Sequence, residues 1–299
     1  MDNFKLNRNQ SVLTICFNSS FDRPVNRGLM HSISQCGRHS AIVCAICQLI
    51  QQANDLVFKS VNNDTQIRAV ILIGNGKAFS SGLDMNDAGA LLNTTGEVVQ
   101  TTARLRQHIV DFQDAITAIE TCAVPVIAAL HGLVLGLGID IASACDIRYA
   151  ACSTRFSIKE IDLGLAVNFY IETADIGTLQ RFPRAIGNDA LARELVYTGR
   201  QFNANEALQM GFLAGISCTS SRETVLNMSM GTALAIASKS PVAVQSTKKI
   251  LLNARDNSVA DSLAFTATHN SVALQSGDVK EALSAHLEKR KPVFRDSRM

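Results

Sequence analysis

Strand-like and helix-like segments alternate along the first two thirds of this sequence, and the alternation predicts an α/β fold. Three observations carry that prediction. Arg68 to Ile73 (RAVILI) and Pro125 to Leu130 (PVIAAL) are short continuous apolar runs, as a parallel strand buried on both faces requires. Each follows a stretch with apolar residues at helical spacing. Each also gives way to glycines, Gly74 and Gly76 after the first and Gly132, Gly136 and Gly138 after the second, which end a strand and open a loop or helix.

Taken in order, Ser11 to Phe17 (SVLTICF) is β-branched and apolar and reads as a strand entering a polar loop with Asp22, Pro24, Asn26 and Gly28. Ala41 to Lys59 is the first amphipathic helix, RAVILI the next strand, Val98 to Glu120 a long helix, PVIAAL a strand, and Gly136 onward a small-residue helix. After Gly187 the pattern turns helical, with Asp189 to Tyr197, Ala204 to Met210, Glu223 to Ser238, Pro241 to Ala254 and Val259 to Leu274 as expected helices. Gly277 to Lys291 closes the series, because Val279, Leu283 and Leu287 recur every four residues. The expected division is a mixed core over residues 1–205 and a helical region over 206–299.

Composition narrows the function classes. Of 299 residues, 47% are hydrophobic and 18% charged, enough apolar material for a large core. A formal charge of +2 without any Lys- or Arg-rich run argues against nucleic acid as a partner. Lys289, Arg290 and Lys291 read as a solvated helix end. No apolar stretch approaches the roughly 18 residues of a membrane span, and no secretory leader is expected. The eight cysteines are scattered, the pattern of reduced, mostly buried thiols, and Cys44 and Cys47 lack a second pair to complete a zinc site. Neither a metal nor a covalent triad is expected, since the six histidines form no H-x-x-x-H pair and adjoin no nucleophile elbow. The tripeptide Ser297-Arg298-Met299 is a conservative variant of the one peroxisomal import receptors read. Three residues match by chance fairly often, and alone they read as an ordinary terminus; with the site described below, the expected location is the peroxisome, with the mitochondrion and cytosol as alternatives.

Two segments could carry chemistry. Lys77 to Asp84 (KAFSSGLD) follows the RAVILI strand, and its small residues let the backbone approach a ligand, although an ordinary strand-to-helix turn has the same composition. His131 to Asp140 (HGLVLGLGID) follows PVIAAL; Gly136 and Gly138 resemble a dinucleotide fingerprint, but Ile141 stands where its third glycine belongs. What remains is a glycine-flanked helix start whose free N–H groups stabilise negative charge. Asp140 lies three residues beyond Leu137 on the same face, a carboxylate aimed where those amides point.

Together these segments resemble the paired signature of the crotonase superfamily, in which each donates one backbone amide to a thioester oxyanion hole. The resemblance runs from about Ser11 through nearly the whole chain. It implies a ββα spiral core with C-terminal helices that build a homotrimer or homohexamer, and an acyl-CoA thioester as ligand, with no cofactor beyond its coenzyme A. The implied hole amides are those of Leu83 and Leu137, with Ser81, Gly82, Asp84 and Gly136 lining the substrate site. Leu137 departs from the family's usual glycine. Ser143 to Tyr149 (SACDIRY) and Lys159 to Ala166 (KEIDLGLA) are similar to the Δ3,5-Δ2,4-dienoyl-CoA isomerase branch, where the acidic residue of the glycine-rich helix is aspartate, matched by Asp140, rather than the glutamate of hydratases.

Glu160 matches the second acidic position of that branch. The third carboxylate is expected eight residues later, where this chain has Asn168, and an amide is no general base. Treating Val167 to Thr173 (VNFYIET) as an insertion restores the pattern and makes Asp175 the match, with Glu172 as the other nearby carboxylate. The implied reaction moves two conjugated double bonds toward the carbonyl: Asp175 takes a C2 proton, Glu160 protonates C6, and Asp140 tunes the site. Hydration of a 2-enoyl-CoA and acyl-CoA binding without turnover are the alternatives.

Overall fold

The computed structural model describes residues 4–7, 11–17, 57–82, 97–162 and 176–299. The main sheet has the order β1 (Phe4–Asn7), β2 (Val12–Phe17), β3 (Ala69–Gly74), β4 (Val126–Leu130), β6 (Ile147–Ala151), β9 (Gly215–Ser217). Only β1 runs antiparallel to its neighbour. A smaller sheet joins β5 (Leu133–Leu135), β7 (Arg155–Ser157) and β8 (Phe202–Asn203). The described helices are α1 (Lys59–Asn63), α2 (Val98–Glu120), α3 (Leu137–Ala144), α4 (Thr178–Ala185), α5 (Asp189–Thr198), α6 (Ala204–Gln209), α7 (Arg222–Ala237), α8 (Pro241–Asp256), α9 (Val259–Ala273) and α10 (Gly277–Leu287).

Every residue of β3 and β4 is buried, which is why both read as continuous apolar runs. Alternate residues serve two cores. Val70, Leu72, Val126 and Ala128 pack with Ile116 and Ile119 of α2 and Ile139 of α3, whereas Ile71, Ile73, Ile127 and Ala129 pack with Val225 and Ala233 of α7. Helix starts agree with the sequence because caps define them: Asn188, Asn203, Ser221, Ser240 and Ser258 each accept a backbone N–H of the following turn.

The sequence assigns no element to β1, β5 through β9 or α4. β5, β7, β8 and β9 are two or three residues long, too short for periodicity to register. β6 is interrupted by the half-buried Arg148 and Tyr149, and α4 contains Pro183. The strand β9 and the helix α7 come from beyond residue 205, yet both build on the main sheet. Residues 41–56 of the first expected helix lie outside the described residues, as does the C-x-x-C pair. Cys122 and Cys145 are buried as expected, but Cys152 and Cys218, just past the ends of β6 and β9, are exposed.

Candidate active site

The chain leaves β5 through Gly136, whose φ of +48° favours glycine, and enters α3 at once. Segment 79–82 lies against this turn, joined by the Ser80 N–H donating to the Leu133 carbonyl at 3.0 Å and the Leu135 N–H to the Ser80 carbonyl at 3.0 Å. A Cβ on Gly138 would stand 2.9 Å from the Ser80 Cβ, so the close approach depends on that glycine. Gly138→Ala is expected to push the segment away, lowering unfolding free energy in urea by about 1–3 kcal/mol and reducing turnover. Unchanged stability would show that Ser80 yields freely.

Leu137 is the first residue of α3, where the helix provides no acceptor for its N–H and the macrodipole is positive. Leu137 is 4% exposed and belongs to the main core. The far end of α3 is held by Arg148, whose guanidinium donates to the carbonyls of Cys145 at 2.6 Å and Ala142 at 3.2 Å. These bonds satisfy acceptors that the helix leaves open.

Three expected site residues converge at the start of α3. The Gly136 N–H donates to the Ser157 carbonyl at 3.0 Å, which ties β7 to this turn. Just beyond β7, the half-buried Glu160 places Oε1 3.5 Å from where a Gly136 Cβ would stand, and the Gly82 Cα lies 3.9 Å from the same point. Ser81 is exposed and Gly82 buried. Leu83, Asp84 and Asp175 lie outside the described residues, as do Asn168, Glu172 and the Val167 to Thr173 segment.

Asp140 is fully buried in the first turn of α3. Its Oδ1 accepts the Thr178 N–H at 2.6 Å, from the first residue of α4. Burial, reinforced by the like charge of Glu160, pushes its pKa up to about 8, while hydrogen bonds from Thr178 and the charge of Arg181 act in the opposite direction. The ordinary value is 3.8, so the folded chain keeps a proton that the unfolded chain releases, and stability falls as pH rises from about 4 to about 8. Asp140→Asn is therefore expected to melt above the parent at pH 8, by an amount that shrinks toward pH 4. Equal melting temperatures at both pH values would show that Asp140 is ionised in the folded chain.

Two contributors carry no role in the sequence reading. Thr178 acts through its backbone, and Ser157 through its carbonyl and through Oγ, which donates to the Gly199 carbonyl at 2.6 Å. Gly177-Thr178 ahead of an apolar-periodic stretch is a helix-start signature and could have pointed to α4.

A parallel-sheet core with an amide-bearing helix start beside Glu160 and Asp140 is a crotonase-type architecture. The chain belongs to the enoyl-CoA hydratase/isomerase family, whose model matches residues 41–297. It is 43% identical over 235 residues to the mouse mitochondrial Δ(3,5)-Δ(2,4)-dienoyl-CoA isomerase, covering 78% of this chain and 69% of that one. The peroxisomal isomerase of Arabidopsis thaliana is 41% identical over 238 residues, covering 79% and 82%. Among solved structures, an enoyl-CoA hydratase from Polaromonas sp. JS666 superposes with a TM-score of 0.71 at 26% identity, covering 82% of this chain and 89% of that one. The Bacillus anthracis enoyl-CoA hydratase shares the fold at a TM-score of 0.74 and 24% identity, covering 99% and 100%.

Proposed function

We propose that this chain is a Δ3,5-Δ2,4-dienoyl-CoA isomerase of fatty-acid β-oxidation. The observation that carries the reading is the convergence of Glu160, Gly82 and Gly136 at the start of α3, with the buried carboxyl of Asp140 one turn behind. Relatives at 43% and 41% identity that bear the isomerase name support it. Asp175 removes a proton from C2 of a 3,5-dienoyl thioester, the charge spreads through a dienolate to the thioester oxygen, and Glu160 delivers a proton to C6. The amides of Leu83 and Leu137 hold that oxygen, at about 3 kcal/mol each. Ser81, Gly82, Asp84 and Gly136 line the substrate. Asp140 tunes the site by charge or hydrogen bonding, its own ionisation opposed by burial and by the like charge of Glu160. Coenzyme A enters as part of the substrate, and the chemistry calls for no other cofactor.

Assembly into a homotrimer or homohexamer through the C-terminal helices is part of the same reading. Leu251, Leu263, Val272, Leu283 and Leu287 of α8, α9 and α10 are all more than 60% exposed in the single chain, which leaves apolar surface to cover. Peroxisomal delivery through Ser297, Arg298 and Met299 fits the peroxisomal Arabidopsis relative. In the folded chain Arg298 donates to the carbonyls of Val61, Asn62, Asp64 and Ile67, and the Met299 N–H to Gln245, so an import receptor takes the tripeptide only after it leaves these contacts.

The test is turnover by the purified chain. A 3,5-dienoyl-CoA is expected to gain 2,4-dienoyl-CoA absorbance. Formation of 3-hydroxyacyl-CoA from a 2-enoyl-CoA without that rise would make the chain a hydratase, and tight binding without either product would make it an acyl-CoA-binding protein.

A further inference from the structure

We infer that Arg181 is a positioning residue for Asp140, which fixes the start of α4, whose first N–H holds the carboxyl. This rests on the reading of Asp140 as part of the site. Arg181 lies one turn into α4, and its guanidinium folds back over the helix start: a Cβ on Gly177 would stand 1.9 Å from Nη1. Gly177, at φ +133°, is therefore both the turn that aims the Thr178 N–H at Asp140 and the gap that admits Arg181. Arg181 is anchored from α2, where Nη2 donates to Thr117 Oγ1 at 3.0 Å and Glu120 Oε2 at 3.2 Å. Both partners of that pair are largely buried, with side-chain exposures of 13% and 11%. Arg255 of α8 engages the other Glu120 oxygen, which secures the anchor from a third helix.

Among the described residues, the charged groups acting on Asp140 are Glu160 from beyond β7 and Arg181 from α4; Glu120 of α2 reaches it through Arg181. Burial alone would raise the Glu120 carboxyl, yet Arg255 and Arg181 hold it below its ordinary value, so it stays ionised and fixes Arg181 in place. One anchored cation thereby limits how far the Asp140 pKa climbs.

Infrared titration of the Asp140 carboxyl, isolated as the difference between each chain and its Asp140→Asn counterpart, tests this independently of catalysis. Arg181→Met is expected to raise the Asp140 titration, because the arginine charge and the Thr178 hydrogen bonds at the same helix start both hold it down. Arg181→Lys, which keeps the charge, restores most of the shift. Glu120→Gln, which removes the ionised anchor that fixes Arg181, moves the titration up, in the direction of Arg181→Met. An Arg181→Met chain that folds by circular dichroism and titrates like the parent overturns the inference. Where that variant does not fold, Glu120→Gln decides: an upward shift supports it and an unchanged or downward titration overturns it. Loss of isomerase turnover in the parent would count against the functional reading alone.

Discussion

Glu160→Gln is expected to lower kcat for 3,5-dienoyl-CoA by about 10²- to 10⁴-fold while leaving the fold intact, because an isosteric amide has no proton acidic enough to deliver to C6. Glu160 is half-buried, and its Oε1 faces the Gly136 turn, so the substitution changes chemistry without opening a cavity. KM is expected to change little, since a proton donor acts in the transition state. A Glu160→Gln chain with parental kcat would remove Glu160 from the proton transfer.

The second large effect is expected at Leu137, and the comparison is between proline and alanine. Proline is tolerated at the first position of a helix, where Leu137 stands, and it deletes only an N–H that the helix does not use. Both substitutions forfeit the same buried leucine side chain, at about 2–5 kcal/mol of stability, so their difference isolates the amide. Leu137→Pro is expected to lose about 10²- to 10³-fold in kcat relative to Leu137→Ala, the cost of one oxyanion-hole donor. Equal kcat in the two variants would place the thioester oxygen elsewhere.

What was legible in the sequence follows from how local each feature is. The doubly buried strands announced themselves, because RAVILI and PVIAAL need no partner to reveal that both faces are covered. The C-terminal helices began where Ser, Asn and Pro cap or open them. Gly136 and Glu160 stand out as motif members, and the fold brings them together. The small sheet was hidden, since β5, β7 and β8 exist by pairing across residues 133–203 rather than by any preference of their own. The same applies to the bond between Asp140 and the Thr178 N–H, 38 residues away and made by a backbone group that no side-chain pattern marks. Leu137 shows the limit in the other direction: the sequence marks it as a departure, and only the fold shows that its side chain is buried in the main core.

Turnover of 3,5-dienoyl-CoA in D₂O, with the product located by mass and NMR, tests the central claim most directly. Two separate carboxyl groups that exchange with solvent predict 2,4-dienoyl-CoA carrying deuterium at C6, with the C2 proton lost to Asp175. A 3-hydroxyacyl product, or 2,4-dienoyl-CoA in which the original C2 proton has moved to C6, would contradict the two-carboxyl isomerase.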